Sequence, residues 1–99
     1  MNVAPSYDRA RAQRALADFR LKRRSATPEA VAAVCRALGY EIDKKRGKGS
    51  HWVAVRPEAR PIIIPTGNKV LGLKTSTGML TTLEEVFERD GSNEQRQQG

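Results

Sequence analysis

Apolar residues recur along this chain with two different periods, and the change of period marks the elements. Val31, Val34, Cys35 and Leu38 stand at i, i+3, i+4 and i+7, a single helical stripe. Thr27 suits a helix cap and Pro28 suits the first helical position. Gly39 suits a left-handed residue that ends the helix. A helix is therefore predicted over 28–38, with Cys35 buried in its stripe as a small apolar residue. Beyond Gly39 the period falls to two. Residues 40–45 alternate as a strand, with Tyr40, Ile42 and Lys44 on one face. Residues 51–56 form a second strand, where His51, Val53 and Val55 alternate with Trp52, Ala54 and Arg56. A third strand over 60–64 carries Ile62-Ile63-Ile64 between two prolines, which suits a short or edge strand.

The flanking segments are less regular. Over residues 6–24, Ala12, Leu16 and Phe19 fall at helical spacing, and Ser6 is a candidate cap. This is a thin apolar face on a basic helix that ends in Arg20, Lys22, Arg23 and Arg24. It reads either as a solvated charged arm or as an arm that contacts nucleic acid. Residues 66–77 read as a polar loop. Leu80, Leu83 and Phe87 make a last helical seam over 79–90, with Thr81 and Glu84 at capping-box spacing and Gly91 as its stop. Residues 92–99 are polar and are expected to be disordered.

The order is α-β-β-β-α with an extra helix in front. Two helices with one apolar stripe each must bury those stripes, and a three-stranded antiparallel sheet has one face to offer them. The expected fold class is α+β, with both helices on one sheet face and the other face left to solvent and ligand. Three segments follow: a basic helix or arm over 1–26, the domain over 27–91, and a tail over 92–99.

Charge sharpens this picture. The chain carries 18 Lys+Arg against 11 Asp+Glu, a net +7. After Leu83 the cations are only Arg89 and Arg96, while five of the acids lie there, so the body is +10 and the tail −3. A basic body of this size points to nucleic acid, and less directly to an anionic membrane or an acidic partner. Cys35 is the only cysteine, so neither a disulfide framework nor a cysteine-rich metal site is indicated. No carboxylate pair, His-x-x-x-His spacing or phosphate-binding loop marks a metal or nucleotide site. No metal or cofactor is expected. There is no apolar core for a signal peptide and no membrane-spanning run, so the expected location is cytoplasmic, with no membrane partner.

The candidate chemistry lies in residues 44–52, Lys-Lys-Arg-Gly-Lys-Gly-Ser-His-Trp, which contain the only histidine. An imidazole exchanges protons near neutral pH, which suits it to acid–base work. Cleaving RNA without a metal requires a base to take the ribose 2′-hydroxyl proton as that oxygen attacks phosphorus, and an acid for the leaving 5′-oxygen. His51 is the candidate catalytic residue. Lys44, Lys45, Arg46 and Lys48 are candidate phosphate binders, and Ser50 is placed to orient the phosphate or His51. The same turn also reads as a phosphate clamp without chemistry, or as a soluble loop. Periodicity leaves two facings open: His51 inward with Val53 and Val55, or outward with Trp52 and Ala54 buried instead. Trp52 reads as a core residue or as a stacking platform for a base.

These landmarks, in order, resemble the HicA (YcfA-like) family of bacterial toxin ribonucleases. They are Gly39-Tyr40 after a helix, Lys44-Lys45-Arg46 on a basic strand, Gly49-Ser50-His51 opening the next strand, Ile64-Pro65 closing the third, and Gly78-Met79-Leu80-Thr81-Thr82-Leu83 opening the last helix. The match spans roughly residues 28–90. The resemblance implies a fold like a double-stranded-RNA-binding domain, metal-independent cleavage of messenger RNA by His51, and a HicB-like antitoxin as partner. Many members carry a histidine just after the proline that closes the third strand; here Thr66-Gly67 follows Pro65. The first 25 residues have no counterpart in the compact family domain. The alternatives are a non-catalytic RNA- or DNA-binding module of the same fold, and a basic protein-interaction or inhibitor domain.

Overall fold

The computed structural model describes residues 7–45 and 49–98, with side chains described as far as residue 92. The elements run α1 (Arg9–Leu21), a 3-10 turn (Arg23–Ser25), α2 (Pro28–Ala37), β1 (Glu41–Asp43), β2 (His51–Val55), β3 (Ile62–Pro65) and α3 (Leu73–Gln98). The strands form one antiparallel sheet in the order β1-β2-β3. The fold class is α+β, as the pattern predicts.

Local chemistry accounts for α2 closely. Thr27 accepts from the Ala30 N–H at its start, and Pro28 occupies the first turn. At its end the Tyr40 N–H donates to Cys35 C=O and the Gly39 N–H to Arg36 C=O. This pairing needs a left-handed residue, and Gly39 supplies it at φ 86°. Tyr40 is then carried directly into the core.

The sheet resolves the facing that alternation leaves open. In register, Ile42 meets Ala54, Trp52 meets Ile64, and Ala54 meets Ile62. These side chains join the helical core of Val31, Cys35, Leu38, Leu80 and Leu83. His51, Val53 and Val55 take the opposite, uncovered face, beside Ile63, which is 51% exposed. Val53 is nonetheless buried, because it sits in the middle strand between Asp43 and Ile63. Helix α2 packs on β1 and β3. Helix α3 lies on the same side, since its Asp90 pairs with Arg56 at the end of β2.

Several boundaries differ from expectation. Asp8, not Ser6, caps α1 by accepting from the Arg11 N–H; Ser6 lies outside the described residues. Helix α1 docks through Ala12, Leu16 and Phe19, because a thin stripe suffices when α2 and α3 both cover it. Strand β1 is shorter than predicted, and β3 starts later and includes Pro65. Helix α3 begins at Leu73, six residues ahead of the predicted start, so Gly78 and Thr81 lie inside it. The signal was masked by Ser76, a buried polar residue on the seam of Leu80 and Leu83. Gly91 does not stop α3, which continues to Gln98. A glycine inside a helix costs only about 1 kcal/mol. Here its missing side chain makes room for Arg9, whose guanidinium would lie 2.8 Å from an added Cβ.

The elements give the domain two poles. At one, β2 begins, β3 ends, α2 begins beside Lys44, and the 3-10 turn meets residues 66–72 through the bond from Leu71 N–H to Ala26 C=O (2.9 Å). At the other, Arg56 reaches Leu38 C=O, Asp90 and the Tyr40 ring.

Burial also sets an alkaline limit. It pushes the Cys35 thiol up to about 12, and raises Tyr7 and Tyr40 above the usual phenol range. For Tyr7, the hydrogen bond to Asp90 adds to burial. The unfolded chain loses these protons earlier, near ~8.5 for a thiol and ~10 for a phenol. Their stabilisation is therefore intact below those values and is lost as pH rises toward the folded-state values. Guanidinium denaturation midpoints should hold level from pH 7 to 8 and fall steadily above pH ~9. A flat profile to pH ~11 contradicts the burial of these three groups.

Candidate nucleic-acid interface

His51 opens β2, is exposed, and stands opposite Pro65. Its Nδ1 lies 3.1 Å from the Ser50 hydroxyl. Among the described residues its Nε2 has no partner. If Nδ1 carries the proton and donates it to Ser50, Nε2 presents a lone pair to solvent. The corner is held by backbone: the Thr66 N–H donates to Ser50 C=O at 2.7 Å, and the Thr66 hydroxyl donates to Gly49 C=O at 3.4 Å. Gly49 takes φ 56°, which lets the chain turn tightly just ahead of Ser50. The ring therefore projects from a fixed strand end onto an open face.

The predicted cations divide. Lys45 is exposed at the same pole, its N–H capped by the Asp43 carboxylate at 2.9 Å. Lys44 turns toward the helices instead. Its Nζ lies 3.2 Å from Glu29 and 4.4 Å from the Trp52 ring centroid. Alternation explains this, since Lys44 follows Ile42 and Tyr40 on the inner side. Arg46 and Lys48 lie outside the described residues. The structure thus brings Ser50 and His51 together at the end that carries Lys45, and does not bring Lys44 onto the face of His51.

Trp52 is half-buried against the core rather than open on the sheet face. Its contact with Lys44 is a cation–π pair at the domain edge.

Sequence reasoning missed the polar centre at the opposite pole. Arg56 forms a two-point pair with Asp90, at 3.0 and 2.6 Å, and donates to Leu38 C=O at 2.7 Å. The Tyr7 hydroxyl donates to Asp90 as well. Both side chains of the pair are nearly sealed, at 6% and 3% exposure. Nothing local in the sequence links residues 34 positions apart. The available signal was a charge on the inner face of each pattern: Arg56 continues the Trp52-Ala54 side of the second strand, and Asp90 falls at helical spacing from Leu83 and Phe87. With both charged groups closed off from solvent, the arrangement reads as structural.

No helix among the described residues is long and apolar enough to cross a membrane. No three His, Cys, Asp or Glu side chains among them cluster as a metal site would. No family model, curated protein or solved structure matches this chain.

Proposed function

We propose that the chain is a HicA-like toxin, an endoribonuclease that cleaves messenger RNA with His51 as its proton-transfer group. What carries the reading is the position of His51: exposed on the uncovered sheet face, steadied by Ser50, and close in sequence to the cations of residues 44–48. In this reading Nε2 takes the 2′-hydroxyl proton, the 2′-oxygen bonds to phosphorus, and the bond to the 5′-oxygen breaks. Water supplies the proton to that leaving oxygen. The products are a 2′,3′-cyclic phosphate and a 5′-hydroxyl. Lys45, with Arg46 and Lys48, holds the phosphate and offsets its growing charge. A HicB-like antitoxin would cover this face.

The test is incubation of purified protein with messenger RNA in a chelator. Cleavage with cyclic-phosphate ends supports the reading, and intact RNA at high enzyme excess rejects it. Ser50 is a positioning residue here. Ser50→Ala should lower kcat roughly tenfold with KM unchanged, since a misaimed ring slows chemistry more than binding. Steady-state rates on a labelled oligonucleotide check this; an unchanged kcat removes Ser50 from the mechanism.

Binding without cleavage is the second reading. One observation favours it: Thr66, hydrogen-bonded to Ser50, fills the position after Pro65 where many HicA members carry a second histidine.

A further inference from the structure

The extra N-terminal segment ends in a place that its sequence does not advertise. The 3-10 turn Arg23–Ser25 packs against α3, and Ala26 C=O accepts from the Leu71 N–H. Residues 66–72 in turn begin at Thr66, which is bonded to Ser50 beside His51. The backbone therefore forms a continuous rim from His51, over residues 66–72, to the 3-10 turn. Lys69 and Arg24 on that rim, and Lys74 in the first turn of α3 that follows it, are exposed, and none has a carboxylate partner among the described residues. Arg23 is half-buried, its Nε donating to Arg20 C=O.

Carboxylates are missing from both segments that build this rim. No Asp or Glu lies between Asp18 and Glu29, or between Glu58 and Glu84. Helices α2 and α3 both start at this pole, so their positive dipole ends add to the field. Residues 67–70 are exposed throughout, so the rim is not roofed. The surface has the charge to guide a phosphodiester chain and the open form of a rim.

We propose that RNA flanking the cleaved phosphate runs from His51 over residues 66–72 and onto Arg24. The N-terminal segment then serves as a second, sequence-independent contact that lengthens the RNA footprint. This rests on the RNA-cleaving reading for its substrate class, but its own evidence is the rim. Phosphate contacts of this kind position a strand without reading its bases.

The experiment uses the full chain carrying His51→Ala, so that RNA stays intact. Fluorescence anisotropy compares single-stranded RNA of about 4 and about 16 nucleotides. The parent should bind the long RNA more tightly. Adding Arg24→Gln, Lys69→Gln and Lys74→Gln together should remove most of that advantage, a loss of about tenfold or more at low salt. The log–log salt slope should flatten by about 2, since each neutralised phosphate contributes roughly 0.7 on single strands. The short RNA should bind as before. Thermal midpoints check folding, and exposed substitutions of this type should leave them unchanged. Equal binding of long RNA by parent and triple variant overturns the proposal. So does an absence of RNA binding at moderate salt, which would leave the rim to an acidic protein. Failure of the wild type to cleave, with the long-RNA advantage still abolished by the triple variant, rejects the nuclease reading and supports the rim.

Discussion

Replacing His51 with alanine should lower RNA cleavage by roughly 10²–10⁴-fold, the usual worth of one acid–base group, and leave the fold intact. Both halves of this expectation come from the same fact. The ring is exposed at a strand end, with one described hydrogen bond to the adjacent Ser50. Its removal opens no cavity and strands no buried partner. Ordinary surface substitutions change stability by less than about 0.5 kcal/mol. In the proposed mechanism the loss should fall on kcat, because the phosphate contacts are assigned to the cations rather than to His51. RNA affinity measured with a non-cleavable 2′-deoxy substrate should stay within about twofold of the parent. Single-turnover rates in chelator, beside melting curves for both proteins, separate the cases. Equal rates for the two proteins would remove His51 from the chemistry. A large drop in melting temperature would mean the ring is structural, contrary to its position on the open face.

What the sequence reveals here depends on the range of the interactions involved. Thr27, Pro28 and Gly39 delimit α2 because caps and left-handed residues act within one turn. The β2 facing was not legible, because His51-Trp52-Val53-Ala54-Val55-Arg56 offers apolar residues to both sides. The choice is made by cross-strand register, which sets Trp52 against Ile64 and Ala54 against Ile62. Lys44 shows the same limit. A run of cations suggests one binding turn, yet alternation sends Lys44 toward Glu29 and Trp52. The length of α3 escaped for a different reason. Ser76 breaks the apolar seam near its start, and Gly91 looks like a terminator unless Arg9 is known to lie over it. The candidate imidazole and its serine were readable from residue type and order; its solvent-facing position was not.

The largest structural effect should come from the pole opposite His51. Asp90→Ala should destabilise the fold by about 3–5 kcal/mol, because it leaves the Arg56 guanidinium buried without its counter-charge. Arg56 cannot escape by losing its proton, and its neighbours Leu38 C=O and the Tyr40 ring satisfy only part of it. Its Nε already lacks a hydrogen-bond partner among the described residues. The same substitution also frees the Tyr7 hydroxyl, which tethers the start of α1 to α3. A domain of this size holds only about 5–15 kcal/mol in total. The melting temperature should therefore fall by about 15 °C or more. Replacing both partners, as Arg56→Met with Asp90→Leu, should cost much less than the sum of the single changes, since no charge is then stranded. Denaturant titrations of the two single variants and the double variant make this cycle. Additive losses, or an Asp90→Ala midpoint within about 3 °C of the parent, would mean that the pair is solvated rather than sealed. Because the pair and the imidazole lie at opposite ends of β2, any cleavage by the double variant should match the parent per folded molecule. A parallel loss of activity and stability would instead couple the two poles.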